Sequence, residues 1–67
     1  MPEGTVKWFN PRKGFGFITS DEGTDIFVHK SGVDYIRHKS YLEEGMKVSY
    51  EVEDTPKGRR AIKVRTI

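Results

Sequence analysis

Lys13-Gly14-Phe15-Gly16-Phe17-Ile18, followed after a turn by Asp25-Ile26-Phe27-Val28-His29, decides how this chain is read. Side chains alternate between the two faces of an extended strand, so Lys13, Phe15 and Phe17 share one side of the first segment. In the second segment Phe27 and His29 share a side, with Ile26 and Val28 on the other. Two neighbouring strands would then gather three phenylalanines, a histidine and a lysine on one face. Gly16, Ile18, Ile26 and Val28 would form an aliphatic layer behind them. Rings interleaved with cations suit unpaired bases and their phosphates, because rings stack on bases and ammonium groups attract the backbone. The same pattern also allows a second reading, in which the phenylalanines fill the core of a small barrel. The alternation alone leaves both open.

The rest of the chain narrows the fold. Sixty-seven residues make one domain, taken here as residues 1–67. A domain of this size buries only about 60% of its unfolded surface, so its stability is expected to be marginal. There is no cysteine, hence no disulfide and no thiolate metal site. Strands are expected over Thr5 to Asn10, Gly14 to Thr19 and Asp25 to His29. A fourth starts at Met46, where Met46, Val48, Tyr50 and Val52 alternate with polar residues; in a fifth, Ile62 and Val64 point inward. Asn10-Pro11 and Asp21-Glu22-Gly23 mark turns. Between the third and fourth strands lies a connection of unusual length, Ser31 to Gly45, with room for a single helical turn over Ser31 to Ile36. Five short strands, tight turns and one long crossing loop predict an all-β chain, a small five-stranded antiparallel barrel of the OB type.

Charge adds modest support. Twelve Lys and Arg against ten Asp and Glu give a formal net charge of +2. Acids gather in the expected turns, whereas many bases flank the aromatic segments or sit in loops. The opening Met1-Pro2-Glu3-Gly4 has neither a basic leader nor an apolar run, and no stretch is long enough to cross a membrane. A cytoplasmic protein without membrane association is expected.

Other motifs weigh little. Gly14-x-Gly16 is no dinucleotide fingerprint, because the third glycine position holds Thr19 and no helix follows. Lys13 to Ile18 matches the start of an RNA-binding consensus found in helix-backed sheets, but this chain lacks the amphipathic helices of that fold. With two histidines and no nucleophile beside either, no catalytic residue is assigned. No clustered ligands suggest a metal, and no cofactor is expected.

Lys7-Trp8-Phe9-Asn10, Lys13 to Ile18, Asp25 to His29, Leu42-Glu43-Glu44-Gly45 and Pro56-Lys57-Gly58 together closely resemble the cold shock domain, in the expected order over nearly the whole chain. The resemblance implies a barrel that binds single-stranded RNA and DNA, commonly as an RNA chaperone, with the aromatic residues of its second and third strands exposed. By position it implies that Trp8, Phe15, Phe17, Phe27 and His29 stack on bases and that Lys7 and Lys13 attract phosphates. Asn10 and Asp25 would bond base edges, Lys57 would lie near the ligand, and Phe9 would support the core from the other side of its strand.

Two departures stand out. Lys30 replaces an aromatic residue that usually follows the histidine, exchanging a stack worth roughly 1–3 kcal/mol for a salt-sensitive phosphate contact. The loop Asp34 to Tyr41 is about one residue longer than usual, and His38, Lys39 or Tyr41 could take the place of its customary phenylalanine. Tyr35 or His38 could restore some stacking there. Arg59 and Arg60 replace a proline-containing loop end and add charge, with Arg59 a further candidate contact. The expected partners are therefore single-stranded RNA and DNA, bound by a monomer without ATP or catalysis. Two rival readings remain: an SH3-like barrel holding a proline-rich peptide, and a duplex-binding architectural protein.

Overall fold

The computed structural model describes residues 2–36 and 41–67, with Tyr35 described as backbone only. Strand β1 spans Glu3–Asn10, β2 Phe15–Ser20 and β3 Asp25–His29. A 3-10 turn over Lys30–Gly32 leads into the short β4, Val33–Tyr35. The long strands β5, Lys47–Thr55, and β6, Gly58–Thr66, follow. The turn expected within Ser31 to Ile36 is therefore shorter and starts earlier, and it passes into a strand.

The sheet order is β3-β2-β1-β5-β6-β4, and β6 also pairs with β3 to close the barrel. β1 to β2, β2 to β3, β1 to β5 and β5 to β6 are antiparallel, while β3 to β6 and β4 to β6 are parallel. Closure removes the long unpaired edges that would recruit other chains. The five-stranded OB-type expectation holds, with β4 as a short addition.

Inside, Val6, Ile18, Ile26, Val28, Leu42, Val48, Tyr50, Ala61 and Val64 are buried. Phe9 and Met46 pack against them from partly exposed positions, as expected of Phe9. None of Phe15, Phe17 and Phe27 belongs to this core.

Two positions in the expected inward sets behave otherwise. Val52 keeps 40% of its surface exposed. β1 covers β5 only over Lys47 to Ser49, so from Val52 onward β5 pairs with β6 alone, in a hairpin that outruns the barrel. In β6 it is Ala61 and Val64 that are buried, three residues apart, while Ile62 is only half-buried. A β-bulge explains the change of phase. Ser49 pairs with Arg65 but Glu51 pairs with Ile62, leaving Lys63 and Val64 opposite Tyr50. Lys63 takes the left-handed backbone that this geometry needs, at φ +52°.

Candidate nucleic-acid interface

Alternation in β2 and β3 works as the sequence predicts. Gly16, Ile18, Ile26 and Val28 are buried, and Phe15, Phe17, Phe27 and His29 lie half-exposed on the outside. Register places Phe17 against Phe27 and Phe15 against His29. Gly16 allows β1 to come close behind this face, since a Cβ there would lie 2.2 Å from the Trp8 carbonyl oxygen.

Trp8 joins them through an irregularity. Val6 pairs with Ile18 and Trp8 with Phe17, so β1 carries one extra residue, Lys7, between two successive partners. The bulge reverses the strand's phase: Val6 is buried, Trp8 is 40% exposed, and Phe9 turns toward the core. Four rings then form one continuous cluster. Centroids are 5.5 Å apart for Trp8 and Phe17, 6.0 Å for Trp8 and Phe15, and 5.9 Å for Phe27 with either Phe15 or Phe17. Tilted and edge-on contacts at these distances are mutually attractive and hold the rings without stacking them face to face.

Charged and polar groups surround the cluster. Lys7 Nζ donates to Asp25 Oδ2 at 2.7 Å, and Thr19 Oγ1 donates to Asp25 Oδ1 at 3.0 Å. The Lys7 hydrogen bond, with that of Thr19 second, holds the Asp25 carboxyl below its ordinary value of 3.8. Asn10 Oδ1 accepts from the backbone N–H groups of Arg12 and Lys13, at 3.0 and 3.1 Å, and so shapes the turn that presents Lys13. His29 Nδ1 accepts from the Ser31 N–H at 3.1 Å and caps the 3-10 turn.

Lys30 is exposed, and its alkyl stem lies over Gly14, where an added Cβ would meet Cδ at 3.0 Å. Stem-down packing of this kind leaves the ammonium group toward water. Lys13, Lys30 and Lys57 have no carboxylate partner among the described residues, whereas Arg59 pairs with Asp54 and Arg60 with Glu53.

Phe17, Phe27, His29, Lys57, Arg59 and Arg60 line part of one open groove of about 840 Å³ between the aromatic face and the β5–β6 hairpin. Every expected site residue on β1 to β3 is thus on or beside one surface, and Lys57 and Arg59 approach it from the hairpin. The expectation for His38 lies outside the described residues, as does that for the side chain of Tyr35. Arg60 was absent from the sequence-derived site; its place beside Phe27 depends on the parallel β3–β6 closure, which leaves no local mark in the sequence.

Among the described residues no group of three His, Cys, Asp or Glu could hold a metal ion, and no helix is long and apolar enough to cross a membrane. The family model described as the "Cold-shock" DNA-binding domain matches residues 2–67. Probable cold shock protein A of Mycolicibacterium smegmatis is 52% identical over 68 residues, covering all of both chains. Cold shock protein CspC of Bacillus subtilis and cold shock protein 2 of Lactiplantibacillus plantarum are each 51% identical over 65 residues, 97% of both chains. Among solved structures, drosophila Unr CSD456 superposes with a TM-score of 0.77 at 21% identity, a likeness of fold alone. It covers 98% of this chain, which spans 26% of that one.

Proposed function

Because the chain belongs to the cold-shock DNA-binding domain family, whose members bind nucleic acids, we propose that it binds single-stranded RNA and DNA on the aromatic face of β1 to β3 and acts as an RNA chaperone. The observation that carries this reading is the exposed four-ring cluster of Trp8, Phe15, Phe17 and Phe27. Bases separated from one another stack on these rings and on His29, each stack contributing about 1–3 kcal/mol. A paired base has its faces covered by its neighbours and cannot do the same.

Lys13, Lys30 and Lys57 follow the phosphates. Three such contacts give a slope of log affinity against log salt of about −2 for a single strand. Lys7, bridged to Asp25, adds little to that slope; together they offer an ammonium donor and a carboxylate acceptor to a base edge. Asn10 contributes through the turn it shapes and its carboxamide. Arg59 lies at the hairpin rim of the groove, and the family resemblance leaves Tyr35 and His38 as further candidate contacts.

Binding only the unpaired form pulls a hairpin toward its open state by mass action. No ATP, metal or catalytic group takes part, and the protein works as a cytoplasmic monomer whose 67 residues are one domain. The test uses an RNA hairpin with a fluorophore and quencher at its ends. Protein in excess, without ATP, is expected to raise fluorescence and lower the melting temperature. Stabilisation of the duplex stem would instead identify a duplex binder. No response to RNA alongside capture of a proline-rich peptide would favour the SH3-like reading.

A further inference from the structure

The parallel closure sets Phe27 opposite Arg60 and Val28 opposite Ala61. Paired residues on adjacent strands project from the same side of a sheet. Val28 and Ala61 are both buried, so Phe27 and Arg60 both stand on the outer side. One residue from each of four strands then forms a row across the barrel: Trp8 on β1, Phe17 on β2, Phe27 on β3 and Arg60 on β6. Arg60 also lines the groove that Phe17, Phe27 and His29 line.

The partner of Arg60 decides what it can do there. Arg60 Nη2 donates to Glu53 Oε1 at 2.9 Å, and Glu53 is its cross-strand neighbour on β5. A guanidinium paired in this way has part of its charge offset and one edge tethered by the carboxylate. It is a poorer counterion for phosphate, yet its flat face remains suited to a base, as guanidinium planes are in single-strand recognition. Lys57, on the same hairpin and without a carboxylate partner among the described residues, is the opposite case.

We propose that Arg60 is a fifth base-stacking platform, extending the four-ring face past Phe27 to the β5–β6 hairpin, and that Glu53 is the positioning residue that tethers it and offsets part of its charge. The proposal rests on the single-strand reading above and adds a base subsite to it. It places the bound strand across β1, β2, β3 and β6, so the ligand spans the barrel closure. Lys30, by the family resemblance, marks a missing stack; Arg60 supplies one on the other side of β3.

The experiment measures affinity for a short oligothymidylate by quenching of Trp8 over a range of salt, in the intact protein and in Arg60→Ala, Arg60→Lys, Glu53→Gln and Lys57→Ala. Arg60 is exposed, so these variants are expected to keep the wild-type melting temperature to within a few degrees. Arg60→Ala should weaken binding roughly 5- to 150-fold with an unchanged salt slope. Arg60→Lys should lose most of the same affinity, because a lysine keeps the charge but has no plane to stack. Glu53→Gln should steepen the slope by about 0.7 as the released arginine turns to phosphate, and Lys57→Ala should make it shallower by about 0.7.

Wild-type affinity in Arg60→Ala would overturn the proposal. So would wild-type affinity in Arg60→Lys together with a shallower slope in Arg60→Ala, the signature of a phosphate contact. If the unaltered protein itself leaves Trp8 unquenched, the single-strand reading fails first and takes this subsite with it.

Discussion

Trp8 stands opposite Phe17 with ring centroids 5.5 Å apart, although only one residue separates it from the buried Val6. Strict alternation would put Trp8 in the core beside Val6. The extra residue Lys7 turns the strand over, and the same bulge brings the Lys7 ammonium to Asp25. One irregularity in β1 thus completes the aromatic face and places a charge pair at its margin.

If that face is where bases stack, Phe15→Ala and Phe27→Ala each weaken binding of a pyrimidine-rich single strand by about 1–3 kcal/mol. Both rings lie outside the core, so the loss of stability is confined to their mutual contacts, on the order of 1 kcal/mol. Calorimetric titration and thermal melting of the same samples separate the two effects.

Gly16 is required by close approach rather than by turn geometry. A Cβ at this position would sit 2.2 Å from the Trp8 carbonyl oxygen and 2.6 Å from the Phe9 Cα, both backbone atoms that cannot swing aside. Gly16→Ala is therefore expected to cost about 3 kcal/mol or more and to separate β1 from β2. Denaturant unfolding, with the emission of Trp8 as the probe, reads this directly.

The hydroxyl of Tyr50 is buried in the barrel without a well-formed hydrogen bond among the described residues, Ser20 offering only a weak side-chain interaction. Burial, with Asp21 and Glu22 adding to it, raises the phenol above its ordinary value of 10. An unsatisfied buried hydroxyl is a net cost, so Tyr50→Phe should stabilise the protein by about 1 kcal/mol. Its melting temperature should rise by about 4–8 °C.

Acid should act on Asp25. Its carboxyl, stabilised as the anion by Lys7 and then Thr19, titrates below 3.8 in the folded protein. A depressed folded value means that the contribution to stability is complete above the unfolded value and disappears as pH falls through the folded one. Melting curves taken at decreasing pH, from neutrality to below about 3, should show the unaltered protein losing more stability than Asp25→Asn.

How far the sequence could be read follows from where the strands are regular. β2 and β3 are regular, so Phe15, Phe17, Phe27 and His29 could be put on one face by counting alone. Whether that face was outside could not be settled by counting, because aromatic residues also fill cores; the resemblance to a family answered it. Trp8 came to the face by resemblance only, since a bulge at Lys7 has no marker such as glycine. The bulge at Lys63 is equally silent, a lysine holding a left-handed backbone, and it exchanged Ile62 for Ala61 in the core. Val52 fits its pattern and is still exposed, because periodicity gives a face but not how far the neighbouring strand extends. Arg60 depended on a parallel pairing between segments far apart in the chain, which no short window contains.

The central claim is that the exposed rings of β1 to β3 take unpaired bases. Trp8 is the only tryptophan and belongs to that cluster, so its fluorescence is the most direct witness. The decisive measurement titrates the protein with a pyrimidine-rich oligonucleotide and with its duplex, each at two salt concentrations. The account predicts strong quenching by the single strand, weakened by salt, and a much poorer response to the duplex. A flat titration with the single strand, or equal quenching by the duplex, would contradict it.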